Sequence, residues 1–432
     1  MRQLLADKVS GTMLGIWLLV PEHLRLGTWE LLMGWTGQPG HTVQPRLALQ
    51  LVHEAALCVT GVRESRSLSQ KGFELANGLP FVATDQAIHN LLDAYSVADA
   101  QALQVALGQI RRASGHYQCK LLAVDPHHMR SYTKRQTRRH RHKENEAAVK
   151  TVQTFFCLDV DTEQPVAFTI GSSSRTATQG TVDLLDLADA ILQPGNDETT
   201  VLADKEHFCV ALFRHVIEKT PFHLLTPMLH TSQQRKRMRN IPPEAFLYRW
   251  AGLATAKLPF QFSKTDSLSL CQIVQRCGEN PSEHQFRGFV STHDCNEVQV
   301  LIEDYPKRWH IEEFFRANQA LGWNRAGTLN LNIRYGQMTM ALIAQAAIYQ
   351  LRQRLGQPVC DWDAAHLAQS LFNGLDGDIR VTDDTILVTF YNAPHAEQLR
   401  HHYEHLPLKP AEEGLDPRIP WLYDFKLDFR FK

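Results

Sequence analysis

The chain has no C-x-x-C pair, and the closest two of its eight cysteines, Cys271 and Cys277, have five residues between them. That excludes a zinc framework and a disulfide scaffold, and reduced thiols in a cytoplasmic protein fit best. No secretory signal opens the sequence, and no repeat or low-complexity tract interrupts it. The most apolar stretch, Met338 to Tyr349, contains Gln345 and is soon followed by Arg352. It is too short for a membrane span and reads as a core helix. Net charge is also nearly missing: the formal value is −1, which taken alone argues against a nucleic-acid-binding protein.

The distribution of charge changes that reading. Residues 361–432 hold 7 Lys/Arg against 13 Asp/Glu, a net −6, which leaves +5 on residues 1–360. Seven basic residues and no acid fall between Arg130 and Lys143, among them Arg130, Lys134, Arg135, Arg138 and Arg139, with His140 and His142 between them. Such a run is either a solvated loop or a track for a phosphate backbone, with salt-dependent and sequence-independent affinity. With 44% hydrophobic and 21% charged residues in 432 positions, the chain is globular and long enough for two or three domains with real cores.

The most informative segment is Tyr305-Pro-Lys-Arg-Trp-His-Ile-Glu-Glu-Phe-Phe-Arg316-Ala-Asn-Gln319. Tyr305, Arg308, Glu312 and Arg316 follow at intervals of 3, 4 and 4, which puts them on one helix face. Ile311, Phe314 and Phe315 lie toward the other side and would anchor the helix to a core. A carboxylate among an aromatic ring and two guanidinium groups suits a site that meets phosphate and a divalent cation together. The segment resembles the Y-(2)-R-(3)-E-(6)-K signature of bacterial insertion-sequence transposases of the DDE superfamily. Tyr305, Arg308 and Glu312 match position by position. Gln319 stands where that family usually has lysine, and Arg316 matches a second basic position found in some members.

The resemblance requires two more carboxylates on upstream strands. Lys120 to Asp125 is an apolar run ending in an acid, with Pro126 expected to end or redirect the strand. Thr199 to Asp204 is a second such run. Between them, Thr151–Asp161 and Pro165–Ile170 read as a hairpin, and Thr181–Leu192 reads as a helix. His207–Lys219 and Phe222–Thr226 follow as helix and strand. This β-β-β-α-β-α-β order matches the RNase H-like fold of the superfamily, in which the first and fourth strands adjoin. The fold class expected is therefore α/β: an RNase H-like mixed sheet flanked by helices, a β-rich insertion, a helical N-terminal domain and a small mixed C-terminal segment.

The resemblance implies that Asp125, Asp204 and Glu312 hold two Mg²⁺ ions, with Mn²⁺ as a substitute. Asp125 would bridge both ions, while Asp204 and Glu312 would hold one each. Tyr305 and Arg308 would position the terminal phosphate, with Arg316 and Gln319 as further DNA or phosphate contacts. His127 and His128, near Asp125, suit phosphate contact or packing better than metal ligation. Asp159 and Asp161 read as hairpin-turn residues, and Glu313 is rotated away from Glu312.

Four regions are expected: a helical N-terminal DNA-binding domain (1–115), a catalytic core (116–228 and 291–355), a β-rich insertion (229–290) and a C-terminal segment (356–432). The insertion carries one tryptophan, Trp250, which is either ordinary core or a platform for a base flipped during hairpin formation, as in some relatives. In the first region, Leu68–Asn77, a Gly78 turn and Ala83–Leu92 resemble a helix-turn-helix, with Gln86, His89 and Asn90 facing a groove. A plain helical packing unit fits those residues equally well. The expected function is cleavage at insertion-sequence ends and transfer of the 3′-OH to target DNA, by a homodimer pairing two ends in a bacterial cytoplasm beside the nucleoid. The alternatives are a nuclease that cuts without joining and a retired transposase kept as a DNA-binding regulator.

Overall fold

The structure, a computed structural model, describes residues 8–37, 42–59, 70–131, 133–136, 139–140, 147–171, 176–195, 198–263, 267–323 and 328–432. Contacts divide the chain into two compact units. One holds residues 112–129 and 135–315, and the other holds 1–111, 130–134 and 316–432.

The first unit is built on a single sheet. Its strands are β1 (Leu121–Arg130), β2 (Val149–Asp159), β3 (Gln164–Gly171), β4 (Thr200–Ala203) and β5 (His223–Pro227). Four more come from the insertion: β6 (Leu247–Trp250), β7 (Leu253–Phe260), β8 (Leu270–Cys277) and β9 (Gln285–Ser291). The order is β3-β2-β1-β4-β5-β9-β8-β7-β6, with a short strand at Arg139–His140 on the start of β2. Strands β1, β4 and β5 run parallel, while β2 and β3 form an antiparallel hairpin. The first five strands thus take the 3-2-1-4-5 order of an RNase H-like sheet.

Local chemistry explains why these segments fold this way. β1, β4 and β5 are short apolar runs whose middle residues are buried, as parallel strands covered on both faces require. Helix α1 (Ala177–Leu192) starts at a capping box in which Thr176 accepts from Gln179 and Gln179 accepts in return. Gly180 lets α1 lie close to the sheet, since a Cβ there would stand 2.5 Å from the Phe155 ring. Helix α2 (Val210–Lys219) buries Leu212, Phe213 and Val216, the i, i+1, i+4 pattern of one apolar face.

The insertion differs from the sequence reading in two ways. It extends the core sheet, because β9 pairs antiparallel with β5 (Val290↔Thr226). Its strand β8 was not anticipated: Leu270–Cys277 alternates around Gln272 and Arg276, whose polar atoms hid a buried strand. Helix α3 (Ser232–Arg239) then lays Met238 on Phe246, Ala254, Ala256 and Val274 to form a local core. Pro126 also does not end β1. Pairing with β4 covers only Leu121 to Val124, so the missing N–H of Pro126 forfeits no bond on that side.

The second unit joins both ends of the chain. Val9–Gly11 pairs with Gly377–Thr382, which adjoins Thr385–Phe390, Phe425–Phe431 and Arg418–Ile419 in a five-stranded sheet. Trp17 Nε1 donates to the Gly72 carbonyl at 3.0 Å, and Trp421 Nε1 donates to that of Ala76 at 2.8 Å. Residues 1–115 and 356–432, read as separate regions, thus fall largely in one unit. The long helix Leu331–Leu355 belongs there too, rather than with residues 116–228. In the helix-turn-helix candidate, Lys71–Ala76 and Asp85–Ala94 are helical, and Thr84 caps the second. Gln86, His89 and Asn90 are exposed, whereas positions 68 and 69 lie outside the described residues.

Asp159 fixes the start of this first sheet. Fully buried, it accepts from the backbone of Gln118 and Cys119 at 2.9 and 2.8 Å, and from the Thr162 amide and hydroxyl at 3.1 and 2.9 Å. Asp159→Ala would strand those donors and should lower stability by about 2–4 kcal/mol in urea unfolding. A loss under ~1 kcal/mol would show that the turn holds without it.

Candidate active site

Parallel pairing of β1 with β4 ends in the register Val124↔Ala203, so the next residues, Asp125 and Asp204, leave adjacent strands side by side. The third acid arrives on a composite helical segment. A π turn (Val300–Asp304) passes into a 3₁₀ turn (Tyr305–Trp309) and then into α4 (His310–Asn318). Ile311 and Phe314 are buried and seat α4 against Phe156, whose ring lies 6.0 Å from that of Phe314. Phe315 meets the Phe156 ring edge-on at 5.2 Å and the tilted His127 ring at 4.4 Å, which places His127 in packing.

Arg308 links the acids. Its Nη1 stands 3.7 Å from Asp125 Oδ1, and its Nη2 stands 3.3 Å from Glu312 Oε1, one turn along. Burial would lower its pKa, but Asp125, Tyr305, Glu312 and Asp204 together raise it. Tyr305 donates to the Ala203 carbonyl at 3.4 Å, and its ring meets Phe289 edge-on at 4.9 Å. Burial pushes the Tyr305 hydroxyl up to about 12, so it stays a neutral donor.

The two aspartates are tuned in opposite directions. Burial raises Asp125 from an ordinary 3.8 to about 7, with Arg308 opposing and the charges of Asp204 and Glu312 adding to the rise. Burial would raise Asp204 as well, but the His207 hydrogen bond and charge, the Glu206 amide and Arg308 hold it below its usual value. His207 is fully buried, with Nδ1 2.8 Å from Asp204 Oδ1 and Nε2 2.9 Å from Thr181 Oγ1. The sequence reading did not single out His207. Its only signal was the i, i+3 spacing to Asp204 at a strand end, where a 3₁₀ turn brings such side chains into line.

An oxygen-only donor set and mutual repulsion among carboxylates at Asp125 suit a hard divalent cation. Among the described residues, however, the one triple of potential ligands whose atoms all lie within 4.8 Å is Glu163, His310 and Glu313. There the His310 Nδ1 is engaged by the Val160 carbonyl at 3.0 Å, and both glutamates are exposed. At Asp125, Asp204 and Glu312, the guanidinium of Arg308 rather than direct carboxylate contact joins the group.

The remaining predicted contacts spread outward. Arg316 is exposed one turn beyond Glu312, and Gln319 is exposed just past the end of α4. Arg130, Lys134, Arg135 and Arg139 are exposed as well, while Arg138 lies outside the described residues. Trp250 is 51% exposed on the edge strand β6 and is not insert core.

Residues 118–346 match the family model described as "Transposase DDE domain". The chain belongs to that family. A comparison with curated proteins found no match. Among solved structures, the chain is similar to the cryo-EM structure of the piggyBac transposase synaptic complex with hairpin DNA, at 11% identity and a TM-score of 0.42. That match covers 85% of this chain and 82% of the other. No described helix is long and apolar enough to cross a membrane.

The raised Asp125 pKa has a thermodynamic consequence. The folded protein keeps a proton on Asp125 up to about pH 7, whereas an unfolded carboxyl loses it near 3.8. Stability contributed at this group therefore falls as pH rises through that window. In chelator, Asp125→Asn should be more stable than wild type by about 2–4 kcal/mol at pH 8, with the difference vanishing near pH 3.5. Thermal melts across pH would show it. A less stable Asn protein at pH 8 would mean that the pair with Arg308 outweighs burial.

Proposed function

We propose that this protein cuts DNA at the ends of an insertion sequence and joins the freed 3′-OH to target DNA, with Asp125, Asp204 and Glu312 as its catalytic acids. The observation that carries the reading is the convergence of all three on Arg308: two within ion-pair reach and the third close enough to raise its pKa. Perturbed carboxylates around a charged partner cluster at functional sites, and open α/β sheets hold their sites at strand ends such as those of Asp125 and Asp204.

Mg²⁺, or Mn²⁺ in its place, would be held by Asp125, Asp204 and Glu312. Bound there, such ions supply the charge that activates an attacking oxygen and stabilises a leaving 3′ oxygen. The chain's own groups do the rest. Arg308 offers a planar fork to phosphate oxygens, and Tyr305, neutral and anchored to Ala203, holds the helix turn that presents it. Arg316 adds a cation one turn further on, and Gln319 supplies an uncharged contact. Arg130, Lys134, Arg135, Arg138 and Arg139 give the phosphate backbone a salt-dependent track. Trp250, half exposed at a sheet edge, is free to stack on an unpaired base. The exposed faces of Gln86, His89 and Asn90 suit recognition of the element ends, and a dimer would pair two such ends in the bacterial cytoplasm.

The test is excision in cells: the gene with its native flanking DNA, a marker between the ends, and PCR across the donor junction. Junctions from the native protein that vanish with alanine at Asp125, Asp204 or Glu312 are the expected result, with DNA binding retained in each variant. Junctions that persist in Asp125→Ala remove the assignment. Gln319→Lys should raise the yield if the missing lysine limits strand joining. Trp250→Ala should nick normally yet accumulate products short of double-strand release.

A further inference from the structure

Of the three acids, Asp204 is the one held by a neighbour that is itself braced. His207 ends the 3₁₀ turn Lys205–His207, which Asp204 caps. A carboxylate can only accept, so Nδ1 of His207 donates to Asp204 Oδ1 at 2.8 Å. On the far side of the ring, Nε2 meets the hydroxyl of Thr181 on α1 at 2.9 Å. With a partner at each ring nitrogen and no exposed surface, the imidazole cannot turn without breaking a bond.

Thr181 is itself fixed. It is 1% exposed and is the fifth residue of α1, just after the capping box of Thr176 and Gln179. The neighbouring Gly180 carbonyl accepts from Thr169 on β3 at 3.1 Å, which ties this turn to the sheet. Asp204 Oδ1 also accepts the Glu206 amide at 2.9 Å. Among the described residues, both hydrogen bonds to this carboxylate therefore fall on Oδ1, which leaves Oδ2 for a ligand.

We propose that His207, braced by Thr181, is a positioning residue of the DNA-cutting site: it locks the Asp204 carboxylate so that Oδ1 is withheld and Oδ2 is offered to the divalent cation. The inference rests on the assignment of Asp204 as a catalytic acid. A half-exposed aspartate that rotates freely must be ordered each time it takes up an ion, and partners that orient a ligand remove that cost. A histidine that only fills core volume would leave cation affinity unchanged when replaced by a side chain of similar size.

Mn²⁺ binding to the DNA-free protein, followed by titration calorimetry, separates the two roles without relying on turnover. His207→Leu keeps bulk and loses both hydrogen bonds. His207→Asn keeps a donor near the position of Nδ1, and Thr181→Val keeps shape while removing the far brace. The Leu variant should raise the Mn²⁺ dissociation constant about 10–100-fold, the cost usual for removing an orienting partner. Thr181→Val should move it in the same direction by a smaller factor, and His207→Asn should recover most of the loss. Binding to end DNA in chelator should stay within about twofold of wild type, since no phosphate contact is touched. Folded Leu and Val proteins with wild-type Mn²⁺ affinity would overturn the proposal, as would an Asn variant as weak as Leu. Should the Leu protein fail to fold, Thr181→Val decides by itself. Asp204→Asn run alongside keeps the two ideas apart: unchanged Mn²⁺ affinity and cleavage there would sink the site assignment itself.

Discussion

Everything at this site depends on the register of four residue pairs. Leu121 to Val124 runs parallel to Thr200 to Ala203, and the ladder stops where the two aspartates begin. Side chains alternate along a strand, so a slip of one residue would send one of the two to the opposite face of the sheet. Register is held from several sides. The Thr199 hydroxyl donates to the Cys119 carbonyl at 2.7 Å, and the Thr200 amide donates to the Lys120 carbonyl at 3.0 Å. Asp159 ties the residues just before β1 to the β2–β3 turn. The placement of the two aspartates at one end of the sheet is thus set by hydrogen bonds at the other.

Charge balance is the second constraint. Three carboxylates in a half-buried place repel, and the structure answers each differently. Asp204 is stabilised as an anion by His207 and the Glu206 amide. Glu312 keeps partial exposure and an ion pair, and Asp125, the most enclosed, holds a raised pKa. Splitting pKa values between neighbouring acids is the pattern expected where like charges share a site. Arg308 can meet this need because a guanidinium stays charged when buried and presents more than one donor edge.

Much of the site was legible because its signals are local. Apolar runs that end in an acid, the helical period of Thr181–Leu192, and the spacing of Tyr305, Arg308 and Glu312 can each be read within a dozen residues. What was not legible depends on partners far apart in sequence. The joining of the first residues to the last rests on pairs such as Val9 with Ile379 and Trp421 with Ala76, and neither partner's surroundings announce the other. Strand β8 hid behind Gln272 and Arg276, because a polar atom satisfied inside a sheet looks like surface in a sequence. The guanidinium of Arg276 lies 4.5 Å from the Phe246 ring and 5.2 Å from that of Tyr248, which makes its burial tolerable. His207 was missed for a related reason: its role needs Thr181, 26 residues upstream on another element.

The near-zero net charge, which argued against a DNA-binding protein, is reconciled by where the charges lie. The net −6 of residues 361–432 offsets cations that are concentrated elsewhere and does not dilute them. Helix α3 carries Arg235, Lys236, Arg237 and Arg239, all exposed, around the one buried residue, Met238, that fastens it to the insertion. Screening at physiological salt acts over about 8 Å, so a phosphate meets the local potential of such a helix and not the sum over the chain. Because the insertion continues the sheet through β9 and β5, its cations are held by the same layer that carries Asp125 and Asp204. The sheet that carries both aspartates thus also carries the insertion on which this cationic helix packs.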